Sequence, residues 1–197
     1  LIFDEVVTGF RFAYGGAQEL YGVTPDLCAL GKVIGGGYPL SAVAGRNQFM
    51  KYFDVEKVGH NDVVKQIGTL SGNPVAAAAG LATLDVLRRP GTYEHLFGIG
   101  QQFMDGLNSL FDKHSVVAQV RGVPPMFDVL FTDVEVKDFR GAAKSDGKYL
   151  KIFNKNLLAG GILKGDNKFY ISTAHTSEDI TEALKICDIA LAEVAAA

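Results

Sequence analysis

Lys32 follows a short apolar run, Asp26-Leu27-Cys28-Ala29-Leu30, and stands among glycines at 31, 35, 36 and 37. A lysine amine in an apolar setting is held neutral more readily, and a neutral amine can attack a carbonyl and form a Schiff base. Asp4 follows a second apolar run, Leu1-Ile2-Phe3. A carboxylate buried at a strand end needs a positive partner or strong hydrogen bonds. A protonated ring nitrogen would be such a partner. Gly68-Thr69-Leu70-Ser71-Gly72-Asn73-Pro74 offers hydroxyls and backbone N–H groups just before a helix, a setting suited to a phosphate. Each feature also has a plain reading: a surface lysine, a structural acid and a helix cap.

These residues need elements to position them. Leu1–Phe3 reads as a buried strand ending at Asp4-Glu5, and 26–30 as a second strand ending at Gly31-Lys32. In an α/β sheet that edge is where ligands bind. A tight loop at 35–39 precedes a strand over 40–44, and 49–53 reads as a short helical piece. Residues 54–68 read as a loop. Asn73 then caps a helix with Pro74 at its first position, running to Leu87, with Arg88 and Arg89 suiting its C-terminal dipole. Leu96, Ile99, Phe103, Leu107, Leu110 and Phe111 recur at helical spacing. The spacing predicts strands over 116–120 and 126–131 and a helix through Tyr149, Ile152, Phe153 and Leu157, stopped by Gly160-Gly161. Short strands are expected at 162–164 and 169–172. Thr176 with Asp179 forms a capping-box pattern opening a last helix whose apolar face is Ile180, Leu184, Cys187, Leu191 and Val194.

Composition narrows the class. Apolar residues make up 48% and charged residues 21%, which is globular rather than disordered. The net charge is −3, without dense basic blocks, so neither nucleic acid nor a membrane surface is expected as a partner. Of 197 residues, 23 are glycine, well above the usual share of about 7%. Their clustering points to turns and close backbone approach to a ligand. The uncharged run Ile67–Leu84 contains Ser71-Gly72-Asn73-Pro74 and much alanine, so it reads as a polar loop and a buried helix rather than a membrane span. Cys28 and Cys187 form no CxxC pair and read as two buried free thiols of a cytoplasmic protein. The chain opens on Leu1 inside a core strand, with no polar lead-in, which suggests a piece of a longer protein.

Other motifs carry less. A P-loop needs Gly at the place held by Asp26 and Ser or Thr at Val33, so it fails. Gly98-Ile99-Gly100 begins like a dinucleotide fingerprint but sits in a helix and ends in Phe103. His60, His95, His114 and His175 show no ligand spacing, with His175 the one near a cleft. Lys144, Lys148, Lys151 and Lys155 read as one solvated helix face.

Together the segments Leu1-Ile2-Phe3-Asp4-Glu5-Val6-Val7-Thr8-Gly9-Phe10-Arg11, Pro25-Asp26, Gly31-Lys32-Val33-Ile34-Gly35-Gly36-Gly37 and Gly68-Thr69-Leu70-Ser71-Gly72-Asn73-Pro74 resemble the class III aminotransferases. Within that family the glutamate-1-semialdehyde aminomutase branch is the nearest likeness, also through Ser172-Thr173-Ala174-His175-Thr176. The resemblance implies a fold type I, α/β enzyme using pyridoxal 5'-phosphate. Residues 1–89 would be the C-terminal portion of the cofactor-binding large domain, with a mixed, mostly parallel sheet. Residues 90–197 would be a small α+β domain. It implies that Lys32 forms the Schiff base and shuttles protons, Asp4 pairs with the pyridinium nitrogen and Val6 packs on the ring. Thr69, with the Gly68 backbone, would bind the phosphate of the cofactor held by a neighbouring subunit, making a homodimer with active sites at its interface.

Family members are about twice as long, so the resemblance implies a missing N-terminal half that completes the cofactor cup and the substrate pocket. The sequence also departs from the aminomutase pattern. Asn167-Lys168-Phe169 stands where that branch carries a Phe-Glu-Ala-Gly-like stretch, and Tyr38 and Leu40-Ser41 differ from its usual loop. The reading therefore spans an aminomutase and a transaminase of an amino acid, a β-amino acid among them, or of an amine. The residues alone also admit another Schiff-base enzyme such as an aldolase, and an inactive half-chain or structural partner.

Overall fold

The computed structural model describes all residues, 1–197. The chain divides into two compact units, Leu1–Tyr93 and Glu94–Ala197.

The first unit is built on a three-stranded mixed sheet. Strand β1 (Ile2–Glu5) pairs in parallel with β2 (Leu27–Leu30), and β2 pairs antiparallel with β3 (Ala42–Gly45). One parallel and one antiparallel pairing make this sheet mixed without being mostly parallel. Helix α1 (Gly16–Tyr21) lies between β1 and β2 in the chain, and a 3₁₀ turn, Lys32–Gly35, follows β2 directly. After β3 come α2 (Asn47–Met50), a 3₁₀ turn at Lys51–Phe53, and α3 (Val55–Val58), a single turn capped by Asp54. That turn lies within 54–68, which the sequence pattern presents as plain loop. Helix α4 (Pro74–Leu87) starts where Asn73 and Pro74 predict, and Asn73 Oδ1 accepts from the Val75 and Ala76 N–H groups. Arg88 and Arg89 lie just past its last turn, and Arg88 pairs with Asp85.

The strand at Leu1–Phe3 is not buried as expected. It runs over Ile2–Glu5, on the edge of the sheet, with Ile2 70% exposed. The buried residue of β1 is Glu5, only 1% exposed. Its carboxylate accepts hydrogen bonds from Thr8 Oγ1 (2.8 Å), Ala17 N (2.8 Å) and Gln18 N (3.0 Å), so α1 donates its first free N–H groups to it. Gly16 has φ +72°, and a Cβ there would meet both Glu5 oxygens, which reserves the position for glycine.

The second unit is a three-stranded antiparallel sheet covered by long helices. Helix α5 (Thr92–His114) enters it and buries Leu96, Ile99, Phe103, Leu107 and Phe111. The hairpin β4 (Gln119–Val123) and β5 (Met126–Leu130) pairs in register, three residues later at β4 than the sequence suggests. Then come α6 (Phe139–Ala142), α7 (Gly147–Ala159), β6 (Lys168–Tyr170) and α8 (Ser177–Ala195). Residues 162–164 are not a strand: no partner strand faces them, and the chain pairs only at β6. Lys144 precedes α7, so only Lys148, Lys151 and Lys155 belong to that exposed helix face. The core is aromatic. Phe127 stacks on Phe169 at 5.3 Å, and Phe103 meets both rings edge-on at 5.8 and 5.1 Å. The Thr176–Asp179 capping box is present in full. Cys28 and Cys187 are free and buried. No helix is long and apolar enough to cross a membrane.

Two stability changes follow. Burial raises the Glu5 pKa, but the hydrogen bonds from Ala17, Thr8 and Gln18 outweigh it and hold the carboxyl below its usual value. A lowered folded pKa contributes stability that is present above the unfolded value and is lost as pH falls through the folded one. Glu5→Gln is expected to cost about 2–3 kcal/mol in urea unfolding at neutral pH, with the gap to the parent narrowing below about pH 4; a constant gap would show that the charge is not what matters. Gly100→Ala would drive a methyl group into the Pro124 carbonyl where α5 passes the hairpin turn. It is expected to cost about 1–3 kcal/mol, read from the same unfolding curves.

Candidate functional site

The parallel register pairs Asp4 with Ala29 and Glu5 with Leu30, so Val6 and Gly31 leave the sheet side by side. A Cβ on Gly31 would lie 3.3 Å from Val6 Cγ1. The next residue, Lys32, has left-handed backbone at φ 48° and opens the 3₁₀ turn that Gly36, also left-handed, closes. Helix α4 holds this turn from behind: Gly80 is buried, and a Cβ there would sit 2.7 Å from the Ile34 carbonyl oxygen. Small residues on α4 therefore let the lysine turn seat closely on the helix.

Asp4 is exposed, not the buried acid that the sequence suggests. Neighbours on a strand face opposite ways, and the covered face belongs to Glu5. Asp4 Oδ1 accepts from the Val6 N–H at 3.0 Å, which fixes the carboxylate and leaves Oδ2 open. Lys32 is likewise exposed rather than enclosed by apolar groups, and its Nζ makes no ion pair or hydrogen bond. Val6 is half-buried. The structure thus brings Asp4, Val6 and Lys32 to one carboxyl edge of the sheet.

Gly68 and Thr69 lie elsewhere in the same unit. Their loop is a pair of turns, Ser71 N–H to Gly68 O at 3.0 Å and Asn73 N–H to Leu70 O at 3.1 Å. Asn73 already takes the first donors of α4, so the open N–H groups are those of Gly68, Thr69, Leu70 and Gly72. Gly68, Leu70, Ser71 and Gly72 face Pro39, Leu40 and Ser41 across a cavity of about 420 Å³. Gly68 lines that cavity, whereas Thr69 is exposed and outside the lining. No hydrogen bond or ion pair joins either residue to Asp4, Val6 or Lys32.

Two contributors escape the sequence reading. Glu5 anchors the segment after β1, and only the alternation of strand faces could have separated it from Asp4. Tyr93 is the other: its hydroxyl donates to the Phe10 carbonyl at 3.0 Å, and burial pushes its pKa up to about 12. It ties down the loop that begins with Val6. The histidines join no cluster of three or more ligating side chains that could hold a metal ion. His114 pairs with Asp188, and His95 Nε2 meets the His175 carbonyl.

The α/β unit thus places an unpaired amine and a half-free carboxylate at the carboxyl ends of parallel strands, the edge where such sheets bind ligands. The sequence pattern of the family described as Aminotransferase class-III matches residues 1–185. The chain belongs to the class III aminotransferases. It is 43% identical to a glutamate-1-semialdehyde 2,1-aminomutase of Natranaerobius thermophilus, over 99% of this chain and 45% of that protein. It therefore spans less than half the length of that relative. Among solved structures, an omega-transaminase from Sphaerobacter thermophilus superposes with a TM-score of 0.91 at 31% identity, over 98% of this chain and 44% of that one. A structure described as a transaminase with PLP bound gives 0.85 at 31% identity, over 100% of this chain and 44% of that one. The fold class expected from the sequence, α/β of fold type I, is the one observed.

The left-handed backbone of Lys32 costs about 1–2 kcal/mol for a residue with a Cβ. Lys32→Gly is therefore expected to melt no lower than the parent and to gain up to about 1 kcal/mol. A loss larger than that would mean that the Lys32 side chain itself supports the fold.

Proposed function

We propose that this chain belongs to an enzyme that uses pyridoxal 5'-phosphate to move an amino group, in the manner of a glutamate-1-semialdehyde 2,1-aminomutase. The observation that carries this reading is the convergence of Lys32, Val6 and Asp4 on one strand edge, with Nζ of Lys32 and Oδ2 of Asp4 both unpaired. The donor set fits the group: an amine for an aldehyde carbon, a carboxylate for a ring nitrogen, a branched apolar side chain for a ring face and open N–H groups for a phosphate.

When bound, pyridoxal phosphate supplies an electron sink for the carbon that carries the amino group. Asp4, held through Oδ1 by the Val6 N–H, would keep a proton on the ring nitrogen through Oδ2. Val6 would cover one face of the ring and exclude water from it. Lys32 Nζ would take a proton from one substrate carbon and return it to another. Its exposed turn lets the side chain swing between those positions without breaking a bond to the protein. Thr69 Oγ1 and the Gly68 backbone would bind the phosphate of a cofactor held by a second copy.

The same reading gives a homodimer with active sites at its interface, working in the cytoplasm. It also calls for the N-terminal half of the same enzyme, since the chain spans 45% of the aminomutase it matches. A second reading is a transaminase that passes the amino group of an amine or amino acid to a 2-oxo acid. The likeness to the omega-transaminase favours it, as do Asn167 and Lys168 in place of the aminomutase stretch.

Borohydride reduction of protein containing both halves, followed by peptide mapping, should place the cofactor label on Lys32. Label at any other lysine rejects the assignment. Asp4→Asn should keep the cofactor and cut turnover by about 10²–10³, and near-normal turnover would dismiss the ring-nitrogen role. Turnover of glutamate-1-semialdehyde without an added 2-oxo acid separates the mutase from the transaminase.

A further inference from the structure

The second unit holds a lysine unlike the others. A cavity of about 650 Å³ opens among Phe103, Ile162, Lys164, Phe169, Ile171 and Ile180. Its wall is mostly apolar, and Lys164 is its amine. Lys164 Nζ donates to the carbonyl oxygens of Gly165 (2.8 Å) and Asp166 (2.9 Å) and lies 5.0 Å from the centre of the Phe169 ring. No carboxylate pairs with it. The Asp128 carboxylate, which faces it from β5, is bonded to Lys168 of β6 at 2.9 Å.

The hydrogen-bond count matters. An ammonium has three N–H bonds; two meet backbone carbonyls, and the third has the Phe169 ring beside it but no oxygen acceptor. A neutral amine has two N–H bonds and one lone pair. In the neutral form both N–H bonds would be used by these carbonyls and the lone pair would be left over.

The charges around the amine favour its protonated form, and burial outweighs them. Burial pushes its pKa down to about 8, against the opposing pull of Asp128, Asp166 and Cys187. Cys187, on α8, is itself pushed up to about 12 by burial, so its thiol is no rival nucleophile. His175 and Asp179 stand on the cavity wall. Asp179 is occupied by Thr176 in the capping box. His175 Nδ1 accepts from the Ser172 N–H at 3.1 Å, which leaves Nε2 to carry the ring proton.

We propose that Lys164 is a covalent site for small aldehydes with an apolar body, distinct from Lys32 and built from the second unit alone. The neutral Nζ attacks the aldehyde carbon and a C–N bond forms. The C=O electron pair moves to oxygen, which takes a proton. The hydroxyl takes a second proton from solvent and leaves as water, the nitrogen gives its remaining proton back to solvent, and a C=N bond remains. One aldehyde and one amine give one imine and one water, with no change in oxidation state. The reverse reaction is hydrolysis, so the site loads and unloads with aldehyde concentration.

The test is reductive labelling of the full protein with butanal and cyanoborohydride, read by peptide mapping. At pH 8, Lys164 is expected to label about tenfold faster than the exposed Lys148, Lys151 and Lys155, because far more of it is neutral. Its rate should rise with a midpoint near pH 8. Glyceraldehyde, of similar size but polar, should label it at least about threefold more slowly than butanal, as an apolar wall requires. Formaldehyde, small enough to reach any amine, reports access alone. Lys164→Arg should abolish the fast phase, and label on Lys32 is counted separately. Should that variant unfold, Ala183→Leu narrows the cavity without touching the amine and should slow butanal more than formaldehyde. Equal labelling of Lys164 and the exposed lysines, or no preference for butanal, overturns the proposal.

Discussion

The first unit depends on one buried charge. Glu5 ends β1 with its carboxylate out of water, and three donors return from the following segment to meet it. Such bonds are strong because one partner is ionised and the surroundings are poor in water. They fold residues 6–18 back onto the strand, so Val6 must leave the sheet in a set direction. They also divide the labour between adjacent acids. Glu5 is spent on structure, and Asp4, on the opposite face, keeps an oxygen for chemistry. A second sequence-distant bond, from Tyr93 to the Phe10 carbonyl, closes the same segment.

What the sequence made legible was local. Asn73-Pro74, the Thr176–Asp179 box and the apolar spacing from Leu96 to Phe111 each carry their own structural instruction within a few residues, and each forms as read. The edge that bears Lys32 was also readable, because an apolar run followed by Gly-Lys marks a strand end. What could not be read was relational. Whether Asp4 or Glu5 is buried depends on which sheet face α1 covers. Whether 162–164 pairs as a strand depends on a neighbour distant in the chain, and the third place in that sheet goes to β6 instead. Exposure of Lys32 is likewise a property of what surrounds it, not of its own segment.

The two units are stabilised by different means. The second has a core of interlocked rings, with β5 as its middle strand and Phe127 stacked on Phe169. Rings set edge-to-face constrain one another's angles as well as distances. The loop that carries Lys164 is attached to that frame through Phe169, so its amine is held against a fixed wall. The first unit relies instead on backbone proximity: small residues on α4, a glycine at the end of β2 and a buried carboxylate replace bulky side chains.

The contact between Gly31 and Val6 links two positions that are 25 residues apart in the chain. Gly31 has an extended backbone that any residue can adopt, so only space keeps it a glycine. A side chain at 31 is tolerable if position 6 becomes smaller, and a bulkier residue at 6 is tolerable only while 31 stays bare. The two positions should therefore drift as a pair through sequence change, with the lysine turn keeping its seat as long as their combined volume is conserved.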